Sequence, residues 1–392
     1  MNNFTYFNPT KVHFGKGQIS TLTEEVPLGS KILITYGGGS IKSNGVYEQV
    51  MAALDSYTVF EFGGIEPNPH YETLVKAVEI AKEQDIDVIL AVGGGSVIDG
   101  SKFISAAACY EGDYWDIIAT GGSCVESALT LGCVLTLPAT GSEMNRNGVI
   151  TRAETQDKLS FGSEHVRPAF SILDPETTYS LPARQIANGA VDTFVHILEQ
   201  YLTYPVNAKV SDRFAESLML NVLEDGPLAL ETPNDYEVRA NLMWTATIAL
   251  NGTLKCGVPT DWATHAIGHE LTALYGLDHA QTLAIVLPAM WKYKKAQKRG
   301  KLLQYAQRVF NITSGTEDEQ IDAAIQKTEA FFTAMGNPTT LSAYGLGEND
   351  IPAVKDKLIQ HGMLAMGEHK DVTPEGCSGD IKARVINTIC RE

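Results

Sequence analysis

The first part of the chain alternates short apolar runs with amphipathic stretches. Lys31-Ile-Leu-Ile-Thr-Tyr36 predicts a strand ending in Gly37-Gly38-Gly39-Ser40, and Asp87-Val-Ile-Leu-Ala-Val92 predicts another ending in Gly93-Gly94-Gly95-Ser96. Between them, Leu74, Val75, Val78 and Ala81 recur at helical spacing. A third run, Cys133-Val-Leu-Thr-Leu-Pro138, leads into Ala139-Thr140-Gly141-Ser142-Glu143. Continuous apolar strands separated by helices predict a parallel, doubly wound (Rossmann-like) sheet covered on both faces.

From Pro182 onward the pattern is helical, with predicted helices over 185–203, 208–230, 236–250, 262–275 and 280–295. The chain of 392 residues is too long for one ordinary core. The expected organisation is an α/β domain over 1–180 and an all-α domain over 181–392.

Charge and composition exclude several function classes. Lys and Arg number 30 against 47 Asp and Glu, a net charge of −17 that repels nucleic acid and anionic lipid. The basic run Lys292–Lys301 reads as a solvated helix face. No stretch approaches the roughly 20 apolar residues of a membrane span, and residues 1–10 lack the charged-then-apolar pattern of a secretory signal, so a cytoplasmic enzyme is expected. The six cysteines form no C-x-x-C pair and predict reduced thiols rather than a zinc ribbon or disulfide framework.

A strand that ends in glycines and feeds a helix is a phosphate cradle, because the backbone can approach closely and the helix N-terminus offers free N–H groups. The loops lack G-x-G-x-x-G spacing. Three of them at strand carboxyl ends nevertheless predict a dinucleotide site. The first, Gly37 to Lys42, carries no carboxylate to accept ribose hydroxyls, which favours NADPH over NADH.

The helical half carries the second chemistry. Asp192-Thr-Phe-Val-His196 and His265-Ala-Ile-Gly-His269 each set two ligand-type side chains at i and i+4, and His279 follows. These five candidates suit Zn²⁺, Fe²⁺ or a similar ion, with no thiolate placed to narrow the choice.

Together these residues resemble the iron-containing (group III) alcohol dehydrogenases. The likeness is carried by Gly93-Gly94-Gly95-Ser96-x-x-Asp99, Thr140-Gly141-Ser142-Glu143-Met144-Asn145, Asn188-Gly189-Ala190-Val191-Asp192-x-x-x-His196, and His265-x-x-x-His269 with Gly276-Leu277-Asp278-His279. Tyr36 to Ser40 and Glu61 to Pro69 look like the butanol dehydrogenase branch and its NADPH-dependent aldehyde reductases. The resemblance implies a dehydroquinate synthase-like architecture and a homodimer. It also implies reduction of aldehydes to primary alcohols by hydride transfer from NADPH to a carbonyl polarised by one divalent metal ion, zinc or iron. The alternative is a polyol- or glycerol-type dehydrogenase of the same superfamily.

Residue by residue, the resemblance implies Asp192, His196, His265 and His279 as metal ligands and His269 as an active-site histidine outside the ligand set. Gly38, Gly39 and Ser40 would receive the adenosine 2′-phosphate end. Gly94, Gly95, Ser96 and Asp99 would hold the pyrophosphate and ribose, with Thr136, Thr140, Asn145 and Lys158 lining the nicotinamide half. Arg146-Asn147 and the stretch Pro374–Glu392 depart from the expected pattern.

Overall fold

The computed structural model describes residues 1–374. The expected stretch beyond Pro374, with Cys377 and Cys390, lies outside the described residues. Among the described residues there are eight strands: β1 (Lys11–Phe14), β2 (Lys31–Thr35), β3 (Thr58–Phe62), β4 (Val88–Gly94), β5 (Thr130–Leu137), β6 (Asn147–Arg152), β7 (Asp157–Gly162) and β8 (Phe170–Leu173). Five helices lie among them: α1 (Leu22–Glu25), α2 (Val46–Ala53), α3 (Tyr71–Glu83), α4 (Gly95–Ala108) and α5 (Trp115–Ala119). The later helices are α6 (Ala183–Tyr201), α7 (Lys209–Glu231), α8 (Tyr236–Leu250), α9 (Ala263–Tyr275), α10 (His279–Tyr293), α11 (Lys295–Arg308), α12 (Glu317–Ala334) and α13 (Ile351–Gln360).

The doubly wound sheet is present, all parallel, in the order β1-β8-β5-β4-β2-β3; β6 and β7 form a separate antiparallel hairpin. Its strands are apolar on both faces because both are covered. In β2, Ile32 and Ile34 join Val46 and Val50 on one side, while Leu33 joins Leu74, Val78, Ile98 and Phe103 on the other. The chain runs from β2 outward to β3, then back across β2 to β4. The topological switch point, where such sheets bind ligands, therefore lies between β2 and β4.

Two compact units are present. One comprises Phe7–Pro182 with Thr232–Asn251; the other comprises Met1–Tyr6, Ala183–Glu231 and the described residues from Gly252 onward. The main break therefore falls at Pro182/Ala183, but α8 belongs to the α/β unit, where its Met243 is fully buried among sheet and α4 residues. In the helical unit α9, α10 and α13 share a core of Ile267, Leu271, Ile285, Val286, Val354 and Leu358.

The basic run departs from its expected role as a solvated face. Lys298 and Lys301 are buried, because carboxylates come to meet them. Lys301 pairs with Asp212 at 2.7 Å, and Lys298 with Asp261 at 2.8 Å and Glu368 at 2.6 Å. Cys109, Cys124, Cys133 and Cys256 are free thiols. No helix among the described residues is long and apolar enough to cross a membrane.

Candidate functional site

In the helical unit, α6 is buried on nearly every side, which places Asp192, His196 and Glu199 in the interior at i, i+4 and i+7. His265 enters from the first turn of α9 and His279 opens α10. Glycine makes the approach of these two helices possible. A Cβ on Gly268, between His265 and His269, would stand 2.9 Å from Thr282 Oγ1 of α10. The start of α10 is fixed by Asp278, whose carboxylate accepts from Arg184 Nε at 2.7 Å and Asn188 Nδ2 at 2.8 Å. Its backbone N–H meanwhile donates to Gln281 Oε1, completing a capping box.

These helices converge on one oxygen. Asp192 Oδ1 lies 3.4 Å from His196 Nε2, 3.7 Å from His279 Nε2 and 4.0 Å from His265 Nε2. It is buried and has no hydrogen-bond partner among the described residues. A buried carboxylate oxygen left without a donor is costly. Donor atoms held about 2.1 Å from a shared tetrahedral ion stand roughly 3.4 Å apart, so this spacing fits a cation among them. Asp192, His265 and His279 form a set whose ligand atoms lie within 4.8 Å of one another, and His196 joins it through Asp192. His269 stands beside the set, its ring 5.2 Å from that of His279 and 6.4 Å from that of His265.

Two supporting residues escaped the sequence reading. Glu199 Oε2 lies 3.2 Å from His265 Nδ1, and burial, with the Asp261 carboxylate, pushes the Glu199 carboxyl up to about 8. Whichever partner carries the shared proton, Nδ1 is committed to Glu199 and Nε2 is left facing Asp192. Trp262 holds a left-handed backbone (φ 66°), strained for so bulky a residue, and its ring packs 5.2 Å from His265 and 6.3 Å from His196. The turn is held by Asp261, which accepts from Ala263 N–H at 3.0 Å and from Lys298 at 2.8 Å. Glu199 was legible in principle as the next residue of the Asp192–His196 face.

In the α/β unit the three expected loops follow β2, β4 and β5, which are adjacent strands. Gly94 and Gly95 form the junction of β4 with α4, and no side chain caps that helix. A Cβ on Gly95 would meet Thr140 Oγ1 at 2.4 Å, so only glycine lets the third loop lie against the helix start. Ser96 Oγ accepts from Asn68 N–H at 3.3 Å. Gly38, Gly39 and Ser40 lead into a short 3-10 turn, with nothing within 4 Å of a Cβ on either glycine. Thr136 is part-exposed near the end of β5, and Lys158 is buried in β7.

Asp99 is part-exposed and Asn145 is buried, and both have partners within the protein. Asp99 Oδ1 accepts from Ser142 Oγ at 2.5 Å and Oδ2 from Val149 N–H at 2.9 Å. Burial raises its carboxyl, opposed by the charges of Lys102 and Lys158. Buried Lys102, unremarked in the sequence, donates to Ser142 Oγ (2.7 Å), Asn145 Oδ1 (3.0 Å) and Asn147 O (2.6 Å). Burial pulls it down to about 8, with Asp99 opposing. These bonds clamp the 141–147 loop onto α4, and Thr247 of α8 donates to Glu143 Oε1 at 2.6 Å. Arg146, one of the unexpected pair, bonds Glu164 at the surface at 3.0 Å, and Asn147 supplies the carbonyl that accepts from Lys102.

The first loop itself lacks a carboxylate, but β3 delivers one: Glu61 accepts from Lys42 at 2.7 Å, from Tyr47 at 2.5 Å and from Tyr36 at 3.2 Å. Parallel pairing of β2 with β3, in register Ile34↔Glu61, brings it there.

Comparison with known proteins gives these sites a context. Residues 9–175 match the family model described as iron-containing alcohol dehydrogenase, and residues 186–376 match its C-terminal counterpart. The chain belongs to the iron-containing alcohol dehydrogenase family. It is an oxidoreductase of that family, and the expected two-part architecture is the family's. The NADPH-dependent aldehyde reductase YqhD of Escherichia coli K12 is 59% identical over 375 residues, covering 95% of this chain and 97% of that one. The probable NADH-dependent butanol dehydrogenase 1 of Bacillus subtilis 168 is 44% identical over 388 residues, covering 98% and 100%. The crystal structure of E. coli K-12 YqhD superposes with a TM-score of 0.96 at 57% identity, covering 99% of each chain.

Proposed function

We propose that the protein reduces aldehydes to primary alcohols with NADPH, using one divalent metal ion. The observation that carries this is the convergence of three imidazole Nε2 atoms on the unpartnered Asp192 Oδ1, in a member of an alcohol dehydrogenase family. Asp192, His196, His265 and His279 are the proposed ligands. Their oxygen and nitrogen donors, without a thiolate, suit zinc or iron(II). The bound ion would supply Lewis acidity, withdrawing electron density from a carbonyl. NADPH would supply the hydride.

The chain's own residues hold and orient these groups. The α4 N-terminus, uncapped by any side chain and opened by Gly94, Gly95 and Ser96, is the proposed pyrophosphate seat. Gly38, Gly39 and Ser40 leave room for the 2′-phosphate. Thr136, Thr140 and Lys158 are the proposed contacts of the nicotinamide half. Asp99 and Asn145 act there as positioning residues, since their polar atoms are engaged within the protein. His269, part-exposed beside His279, is proposed to deliver from an imidazole nitrogen the proton that completes the alcohol.

The test is oxidation of NADPH and of NADH, followed by absorbance with butanal as substrate. NADPH-dependent turnover well above the NADH rate is the expected result; butanal-independent or absent oxidation would refute the reading. Glu199→Gln should weaken metal binding on the order of tenfold, because a histidine ligand loses its carboxylate partner. Competition with a fluorescent chelator measures this, and unchanged affinity would remove Glu199 from the site.

A further inference from the structure

Coenzyme choice is open to question in this family, since relatives of this chain carry names with NADPH and with NADH dependence. NADH sites commonly place an acidic residue at a strand end, where it accepts hydrogen bonds from ribose hydroxyls and repels a 2′-phosphate. Such a residue is present here: Glu61, on the last turnings of β3 beside the glycine loop of β2. The two segments are stitched together beyond the sheet by Tyr36 N–H to Phe62 O, Gly64 N–H to Gly37 O and Ile65 N–H to Tyr36 O.

The carboxylate is not available. Lys42 donates to Oε2 at 2.7 Å, Tyr36 to the same oxygen at 3.2 Å, and Tyr47 to Oε1 at 2.5 Å. The Lys42 ammonium is in turn held over both rings, 4.9 Å from the centroid of Tyr36 and 4.7 Å from that of Tyr47. An isolated surface ion pair would contribute little. In this one the carboxylate accepts from three donors, and the side chains are 43% and 31% exposed, so solvent screens them only in part. Burial would raise the Glu61 carboxyl, but the bonds from Lys42, Tyr47 and Tyr36 outweigh it and hold it low.

We propose that Lys42, with Tyr36 and Tyr47, masks Glu61, and that this mask lets a strand end carrying an NADH-type carboxylate accept a coenzyme bearing a 2′-phosphate. Lys42 is on this account a specificity-determining residue that acts by neutralising a neighbour. The inference rests on the placement of the 2′-phosphate end at Gly38–Ser40. Physiological salt screens charges beyond ~8 Å, so the mask matters to a 2′-phosphate seated within that distance of Glu61.

The experiment measures dissociation constants by calorimetry for 2′,5′-ADP and 5′-AMP, and by fluorescence for NADPH and NADH. It compares the wild type, Lys42→Met, Glu61→Gln and the double variant. Lys42→Met should weaken NADPH and 2′,5′-ADP about tenfold, while NADH and 5′-AMP bind at least as tightly as before. Adding Glu61→Gln to Lys42→Met should restore NADPH binding to within about threefold of the wild type, because the unmasked charge is gone. A double variant as weak as Lys42→Met would overturn the mask and make Lys42 a direct phosphate ligand. Equal weakening of both coenzymes by Lys42→Met would also overturn it. If the wild type does not prefer 2′,5′-ADP over 5′-AMP, the underlying NADPH placement fails, and the mask with it. Lys42→Arg, which keeps the charge, should retain the wild-type preference.

Discussion

Asp192→Ala is expected to lose metal and to lower aldehyde reduction by at least about a thousandfold while the chain stays folded. The reason is geometric. Asp192 Oδ1 is the one atom that all three candidate imidazoles approach, and it brings the only negative charge among the four proposed ligands. Its loss removes both the shared contact and the charge compensation for a divalent ion. Metal polarisation of a carbonyl is worth several kcal/mol of barrier, and each ~1.4 kcal/mol is tenfold in rate. Folding should survive, because the substitution deletes a buried acceptor without a donor rather than breaking a satisfied bond. Elemental analysis with steady-state rates checks this. A metal-replete, active Asp192→Ala enzyme would refute the ligand set.

Lys298→Met is expected to cost about 3–5 kcal/mol of stability, a fall of roughly 4–6 °C in thermal midpoint for a chain of 392 residues. Lys298 is buried, and its ammonium donates to Leu202 O (2.6 Å), Asp261 Oδ2 (2.8 Å) and Glu368 Oε1 (2.6 Å). Burial alone would lower its proton affinity, but the two carboxylates more than offset this and hold it above the usual lysine value. A lysine held above its unfolded value stabilises the fold throughout the pH range below that value, so the deficit should be full at pH 7 and shrink only in strong alkali. Without the cation, Asp261 and Glu368 face each other buried; burial and Asp261 already push the Glu368 carboxyl upward. Neutralising one of them in Lys298→Met/Glu368→Gln should recover part of the loss. Because Asp261 also holds the turn before His265, metal affinity should fall with stability. Calorimetry checks the first statement, and an unaltered midpoint would contradict it.

What the sequence made legible follows from the range of each interaction. Asp192 and His196 are one helical turn apart, so periodicity alone set them on a common face; the same holds for His265 and His269. His279 joins them only because Gly268 lets α10 approach α9. The strands β2, β4 and β5 and their glycine loops were visible as apolar runs because both sheet faces are covered.

Failures were long-range. A basic run such as the one holding Lys298 reads as surface from local pattern, because its partners Asp261 and Glu368 lie 37 and 70 positions away. Glu61 reaches Lys42 across 19 positions through a strand pairing that local spacing does not reveal. Periodicity found α8 but could not say which core would bury Met243. The internal partners of Asp99 and Asn145, which are Ser142, Val149, Lys102 and Gly141, were likewise invisible to local spacing.

The central claim is that the Asp192 cluster holds the metal on which aldehyde reduction depends. Its most direct test follows NADPH oxidation by butanal in one preparation as metal is stripped with a chelator and then returned as Zn²⁺ or Fe²⁺, with metal per chain measured at each step. The expected result is about one ion per chain at full activity, rates that fall in proportion to metal removed, and recovery on reconstitution in the wild type but not in Asp192→Ala. Full activity in protein stripped of metal would contradict it.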